Sequence, residues 1–179
     1  IVSIAATIGY AAVDAGLFLK QSEVHGMSQR GGDVSSNIRL SDQEIFSDLI
    51  PKGSADLIIS VEPMESLRYL PFLSPDGWLI TNTVPFVNIP NYPPMDKVMA
   101  EISSFPRHIA LDADKIANEL GSPKSANMVI LGAASPFIDL SFEKLEKAVR
   151  LLFGKKGDDV VDVNLKCLRT GREFAEKNK

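Results

Sequence analysis

The chain has 179 residues, 45% of them hydrophobic and 23% charged, an ordinary balance for one globular domain that buries its core without disulfide or metal staples. A formal net charge of -4 gives no electrostatic pull toward nucleic acid or an anionic membrane, and no apolar run approaches the roughly 20 residues that span a bilayer. The single cysteine, Cys167, excludes an internal disulfide, falls short of the thiolate set of an iron–sulfur cluster or a structural zinc, and suits a reducing, cytoplasmic setting.

Ile1, Ile4, Ala5, Ile8, Ala11, Ala12 and Ala15 recur at helical spacing, which predicts an apolar helix over residues 1–15 closed by Gly16. No capping residue comes before it, and α/β domains usually open on a strand and turn leading into such a helix. A strand and a glycine-rich turn are therefore expected before residue 1. The opening Ile1-Val2-Ser3-Ile4 lacks the basic flank of a signal peptide. Leu17–Val24 reads as a strand, His25–Gly32 as a polar, glycine-rich loop and Val34–Leu40 as a second strand, so that an antiparallel pair fits between Leu17 and Leu40.

Ala55–Val61 is a short apolar run of the kind found in strands covered on both faces. Pro63 suits the first turn of a helix running Met64–Phe72. Gly77–Asn82 reads as another buried strand, and Pro85, Pro90, Pro93 and Pro94 make Val84–Pro94 a loop. A short helix over Met95–Ser103, a strand over His108–Leu111 and a helix over Ala113–Leu120 ended by Gly121 follow. Ala126–Ala134 is a nearly all-apolar helix of small residues. Ser141 is placed to cap Phe142–Phe153, and Asp158–Asn178 is an amphipathic helix interrupted by Gly171. Strands alternating with helices predict an α/β fold: a three-layer sandwich with a mainly parallel sheet flanked by helices, plus a C-terminal helical tail, in a single domain over residues 1–179.

The segment Ser22–Gly32 gathers an acid (Glu23), an imidazole (His25), an amide (Gln29) and a guanidinium (Arg30) between two strands. Loops at strand ends are where α/β sheets bind ligands. Gly26, Gly31 and Gly32 permit close backbone approach, and Arg30 beside two glycines reads as an anion clamp or as a solvated turn. His25 reads as a proton shuttle or as a hydrogen-bonding surface residue. His108 reads as structural, and neither histidine has neighbours at metal-ligand spacing, so no metal site is expected. Glu62 and Glu65 complement a helix dipole at the end of a strand. Asn82 and Thr83 follow a strand and could share the same crevice. Asn127 opens the apolar helix, where free amides bind an anion or Ser125 caps the helix. The chain contains no dinucleotide fingerprint, no phosphate loop of the Walker type and no hydrolase elbow.

The stretches SEVHGMSQRGGDV (Ser22–Val34), DLIISVEPMESLRYLPFL (Asp56–Leu73) and KSANMVILGA (Lys124–Ala133) resemble, in order and spacing, the gamma-type domain of the 2-oxoacid:ferredoxin oxidoreductases, the pyruvate/ketoisovalerate oxidoreductase family. The full EVHGMSQRGG form is most similar to the indolepyruvate type. The resemblance implies a subunit, inactive alone, of an enzyme that oxidatively decarboxylates a 2-oxoacid, transfers the acyl group to coenzyme A and passes electrons to ferredoxin. It implies thiamine diphosphate, magnesium and 4Fe–4S clusters in a large catalytic partner subunit, with none of these cofactors in this chain. It also implies that Glu23, His25, Gly26, Gln29, Arg30, Gly31 and Gly32 face the substrate and coenzyme A side of that partner's site, with no catalytic residue here; Asn82, Thr83 and Asn127 remain secondary candidates from their places at a strand end and a helix start. Two other readings stand beside it: a stand-alone nucleotide- or small-molecule-binding flavodoxin-like domain, and a pure assembly module.

Overall fold

The computed structural model describes residues 1–25 and 34–179. Helix α1 (Val2–Asp14) is followed by an antiparallel hairpin of β1 (Phe18–His25) and β2 (Val34–Ser41), in register from Phe18 opposite Ser41 to His25 opposite Val34. Then come β3 (Ala55–Ser60), α2 (Pro63–Tyr69), β4 (Leu73–Asn82), α3 (Met95–Ser103), β5 (His108–Leu111), α4 (Ala113–Glu119), α5 (Ala126–Ala134), α6 (Phe142–Phe153) and α7 (Asp158–Asn178). Strands β3, β4 and β5 form a parallel sheet in that order, while the hairpin is a separate two-stranded sheet.

The pleat of the parallel sheet builds the layers. Leu79 and Ile58 point to one face, where Leu67 of α2 and Val98 and Ile102 of α3 close a small core. Ile80, Leu57 and Ile59 point to the other and meet the main core, built by Ile4 and Ile8 of α1, Met128 to Leu131 of α5, Leu145 of α6 and Leu165 and Leu168 of α7. Helices on both faces of a parallel sheet make the expected three-layer α/β arrangement. Among the described residues no helix is long and apolar enough to cross a membrane.

Several local expectations change. β4 begins at Leu73, before the expected Gly77, because Gly77 lets the chain run close to β3: a Cβ there would stand 2.7 Å from the Ala55 carbonyl oxygen. α2 stops at Tyr69 and the chain tightens into a 3-10 turn that contains Pro71. Helix α7 is continuous through Gly171, because the glycine sits where the backbones of α5 and α7 touch. The C-terminal helix thereby belongs to the core. Ser125 and Ser141 occupy N-cap positions without making a capping hydrogen bond; the Ser125 hydroxyl pairs with that of Ser122 at 2.7 Å, and the Ser141 hydroxyl is held by the Glu143 carboxylate. The side-chain caps lie elsewhere, on Glu62 for α2 and Asp112 for α4. β3 is half-exposed from Leu57 to Ile59. It is an edge strand, its outer side open to a cavity.

Asp14, at the end of α1, ties that helix to α6. Its carboxylate is held by Lys147 and by Lys144, the latter at 2.9 Å, and these partners pull its pKa from an ordinary 3.8 to about 2. A depressed carboxylate stabilises the fold above its unfolded pKa, and the contribution is lost as pH falls through the folded value. Replacing Lys144 and Lys147 together with Gln is expected to return the Asp14 pKa, followed by NMR, to near 3.8. The stability gap to the parent should be widest above pH 4, shrink toward pH 2, and narrow in high salt, since the pair is solvent-facing. A gap independent of pH would show that the lysines act through packing.

Candidate functional site

The hairpin is a sheet separate from the parallel one, and its two strands flank the loop that the sequence marks as chemical. Its second strand is partly covered, with Ile38 and Leu40 packed on the main core. A two-stranded ribbon needs such an anchor to hold its shape. Glu23 lies opposite Ser36. The Gln21 side-chain amide donates to the Glu23 carboxylate at 3.3 Å and to the Ser36 hydroxyl at 3.2 Å, so a polar cross-strand patch leads up to the loop. Ile1 lines one cavity with Val34–Asn37, so the loop end of the hairpin stands beside the start of α1. The last described pair is His25 with Val34. Gly26, Gln29, Arg30, Gly31 and Gly32, and the side chain of His25, lie outside the described residues.

Below the hairpin is a cavity of about 860 Å³. Its walls are Val34–Asn37 of β2, Leu57–Ser60 of β3 with the following Val61 and Glu62, the exposed side of α2, and Phe86, Ile89 and Tyr92 from the loop after β4. Glu62 organises this end of the sheet. One carboxylate oxygen accepts the Glu65 amide at 2.8 Å, which caps α2. The other accepts the Phe86 amide at 3.3 Å and the Tyr92 hydroxyl at 2.5 Å. Burial first, and the Glu62 carboxylate next, push the Tyr92 phenol well above its ordinary pKa, so it remains a donor far beyond neutrality. The sequence flags Glu62 as a helix-start acid ahead of Pro63, but its bonds to Phe86 and Tyr92 have no local signature.

The secondary candidates sit apart from that cavity. Asn82 is buried and its side chain is engaged within the fold: it donates to Asp114 at 2.7 Å and to the Val61 carbonyl at 3.4 Å, and accepts the Ala113 amide at 3.1 Å. It fastens the ends of β3 and β4 to the start of α4. Thr83 lines a separate recess with Trp78 and His108. Asn127 donates to the Ser3 hydroxyl and accepts the Met128 amide at 3.1 Å, joining α5 to α1. The His108 ring sits 2.6 Å from the Phe105 carbonyl oxygen. Cys167 is buried, and burial pushes its thiol pKa up, away from reactivity. Among the described residues no group of three or more His, Cys, Asp or Glu is placed to hold a metal.

The sequence model of the family described as Pyruvate ferredoxin/flavodoxin oxidoreductase matches residues 1–174. The chain belongs to this family. It is 34% identical over 187 residues to the indolepyruvate oxidoreductase subunit IorB of Thermococcus kodakarensis, a match that covers 99% of this chain and 91% of that one. Its fold is similar to that of the keto/oxoacid ferredoxin oxidoreductase gamma subunit from Geobacter sulfurreducens, with a TM-score of 0.68, 23% identity, and coverage of 97% of this chain and 90% of that one. It is also similar to part of the 2-oxoglutarate:ferredoxin oxidoreductase from Magnetococcus marinus, whose structure has 2-oxoglutarate, coenzyme A and succinyl-CoA bound; there the TM-score is 0.75 at 21% identity, covering 99% of this chain and 29% of that one. The family expected from the loop and helix motifs is thus the one that the whole chain matches.

Proposed function

We propose that this chain is the cofactor-poor subunit of an indolepyruvate-type 2-oxoacid:ferredoxin oxidoreductase, and that it completes the coenzyme A and substrate side of a site whose reaction centre lies in a large partner subunit. The observation that carries this reading is the likeness to the IorB subunit, which runs the length of the chain. The presence of coenzyme A in the similar Magnetococcus enzyme supports the choice of ligand. One cysteine in the chain and no convergent His, Cys, Asp or Glu set among the described residues do not fit thiamine diphosphate with magnesium, or a 4Fe–4S cluster. Those groups are assigned to the partner, and electrons leave from there to ferredoxin, with this chain in the cytoplasm.

In this reading the chain works by position and charge. The hairpin, braced on the core by Ile38 and Leu40, carries Glu23, His25, Gly26, Gln29, Arg30, Gly31 and Gly32 toward the partner. The Arg30 guanidinium and nearby glycine amides meet an anionic group of coenzyme A or oxoacid, with no covalent role. The test is Arg30→Ala in the reconstituted complex. Loss of a charge-assisted hydrogen bond is expected to raise the coenzyme A or oxoacid KM by about 10- to 100-fold while assembly is retained. Unchanged kinetics would remove Arg30 from the site. Weaker assembly with normal turnover per complex would favour the pure assembly module.

A further inference from the structure

Two irregular segments beside the cavity hold apolar side chains out to solvent. Phe46 is 89% exposed and Leu49 58%, on the segment after β2; Phe86 is 69% exposed and Val87 64%, on the loop after β4. Single exposed apolar residues are ordinary, but these belong together, since Leu49 and Phe86 line one cavity. Both segments are held in place. Ile45 is buried next to Phe46, and the Arg39 guanidinium donates to the Ser47 carbonyl at 2.9 Å, which ties the first segment to β2. Glu62 holds the second through the Phe86 amide and the Tyr92 hydroxyl. A ring presented on a fixed backbone costs little ordering when it is covered, which is the property of anchor residues in protein interfaces. The first segment is also acidic: Asp42, Glu44 and Asp48 are exposed and flank Phe46 in sequence, whereas residues 84–94 carry no charge.

We propose that this patch, centred on Phe46 and Phe86, docks the large catalytic subunit against an apolar hollow edged by Lys or Arg; the inference rests on the subunit reading above and adds the surface. Position selects this occupant first. Val34–Asn37 line the cavity with Leu49 and Phe86, so the patch continues from the end of the hairpin that carries the candidate loop, and a body that covers one reaches the other. Charge then selects against a second copy. Most homodimers use the same patch on both subunits, and a two-fold contact through Phe46 would set Asp42, Glu44 and Asp48 against the same three carboxylates. A partner with a basic rim instead pairs these acids while its hollow covers the rings, so that the rim sets register and association rate and the aromatic centre supplies affinity. Finally, the ketoisovalerate oxidoreductase subunit VorA of Methanothermobacter marburgensis, 26% identical over 182 residues, matches 99% of this chain but 34% of its own length, so there the domain is joined to further polypeptide.

The test is titration of the large subunit with the parent chain and with the double variant Phe46→Ser, Phe86→Ser, beside amide exchange of the parent free and in the complex. Both rings are exposed, so the double variant is expected to keep the parent's thermal stability, to bind at least about 30-fold more weakly, and to leave turnover per assembled complex unchanged. Changing Asp42, Glu44 and Asp48 to Asn, Gln and Asn should slow association and flatten its dependence on salt. Val13→Ser is the control, because Val13 is 64% exposed but sits at the end of α1 away from the cavity; it should bind as the parent does. In the complex, amides around Phe46 and Phe86 should exchange more slowly than in the free chain, a readout that needs no variant. Tight binding by the double variant, or unchanged exchange at these amides in a complex that does form, would overturn the docking surface alone. So would self-association of the parent that the double variant abolishes, which would assign the patch to a second copy. A parent that does not bind the large subunit at all would sink the subunit reading, and this surface with it.

Discussion

Replacing Gly171 with alanine is expected to destabilise the chain by about 3 kcal/mol or more, against the direction set by helix propensity. Alanine in place of glycine within a helix ordinarily gains about 1 kcal/mol. Here the sign is reversed by a contact between backbones. A Cβ at Gly171 would stand 1.9 Å from the Val129 carbonyl oxygen and 3.0 Å from the Ala133 nitrogen. Gly132 is its counterpart, with a Cβ there only 2.0 Å from the Leu168 carbonyl oxygen. No rotamer change relieves either clash, because the obstacle is main chain on both helices. α5 and α7 would have to separate, and Met128, Val129, Leu165 and Leu168, all buried between them and their neighbours, would lose contact together. Gly154→Ala is the control: its backbone is right-handed helical and nothing lies within 4 Å of the added Cβ, so it should be neutral or slightly stabilising. Urea unfolding followed by Trp78, the single tryptophan, which stacks on Phe137 at 4.1 Å, would read both variants. A Gly171→Ala chain as stable as the parent would mean that the helices do not meet backbone to backbone. Since both glycines serve one crossing, the double variant should cost less than the sum of the single ones.

The same residue shows where sequence reasoning stops. Read locally, Gly171 interrupts a helix, because glycine's cost is a local property while its benefit depends on another helix far away in the chain. Elements bounded by punctuation were legible to the residue: Met95–Ser103 after Pro94, His108–Leu111, and Ala126–Ala134 all stand as read. Gly16 and Gly121 take the positive φ that their helix-ending positions require. The serines at 125 and 141 were placed correctly but not their bonds, since a hydroxyl chooses between the helix amides and whatever neighbouring side chain lies nearer. β3 was read from its apolar run as covered on both faces, and both faces are covered; the exposed side is the edge, which no hydropathy pattern reports.

The candidate site divides in the same way. The hairpin was legible as two strands, and β1 pairs with β2; the loop residues between them that the sequence marks, Gln29 and Arg30 among them, lie outside the described residues. Asn82 was legible as a residue at a strand end but not as one engaged by Val61, Asp114 and Ala113. A polar side chain at the C-terminal edge of a parallel sheet meets either a ligand or the next helix start, and the choice depends on how the helix docks. For Asn82 the helix start took it, so its contribution is to hold the edge in shape.

Glu62→Ala is expected to cost about 3 kcal/mol and to loosen the loop after β4 without unfolding the sheet. A side-chain cap contributes about 1 kcal/mol, and hydrogen bonds to a charged group about 1.5–3 kcal/mol, discounted here because the two loop donors regain water when released. The three donors that Glu62 holds come from different places: Glu65 from α2, Phe86 and Tyr92 from the loop. The variant should therefore show faster amide exchange at Phe86 and its neighbours, and fraying at the first turn of α2, with β4 and β5 protected as before. Tyr92→Phe removes one of these bonds and should cost about 1 kcal/mol near neutral pH. Because the folded phenol is held above its ordinary pKa of 10.0, the parent keeps this stabilisation in full below about pH 10 and loses it as the unfolded tyrosine ionises above that. The gap between parent and Tyr92→Phe should then be constant from pH 6 to 9 and narrow in stronger alkali. Unchanged loop exchange in Glu62→Ala would show that the proline-rich segment holds its own shape, and would leave Glu62 as the cap of α2 alone.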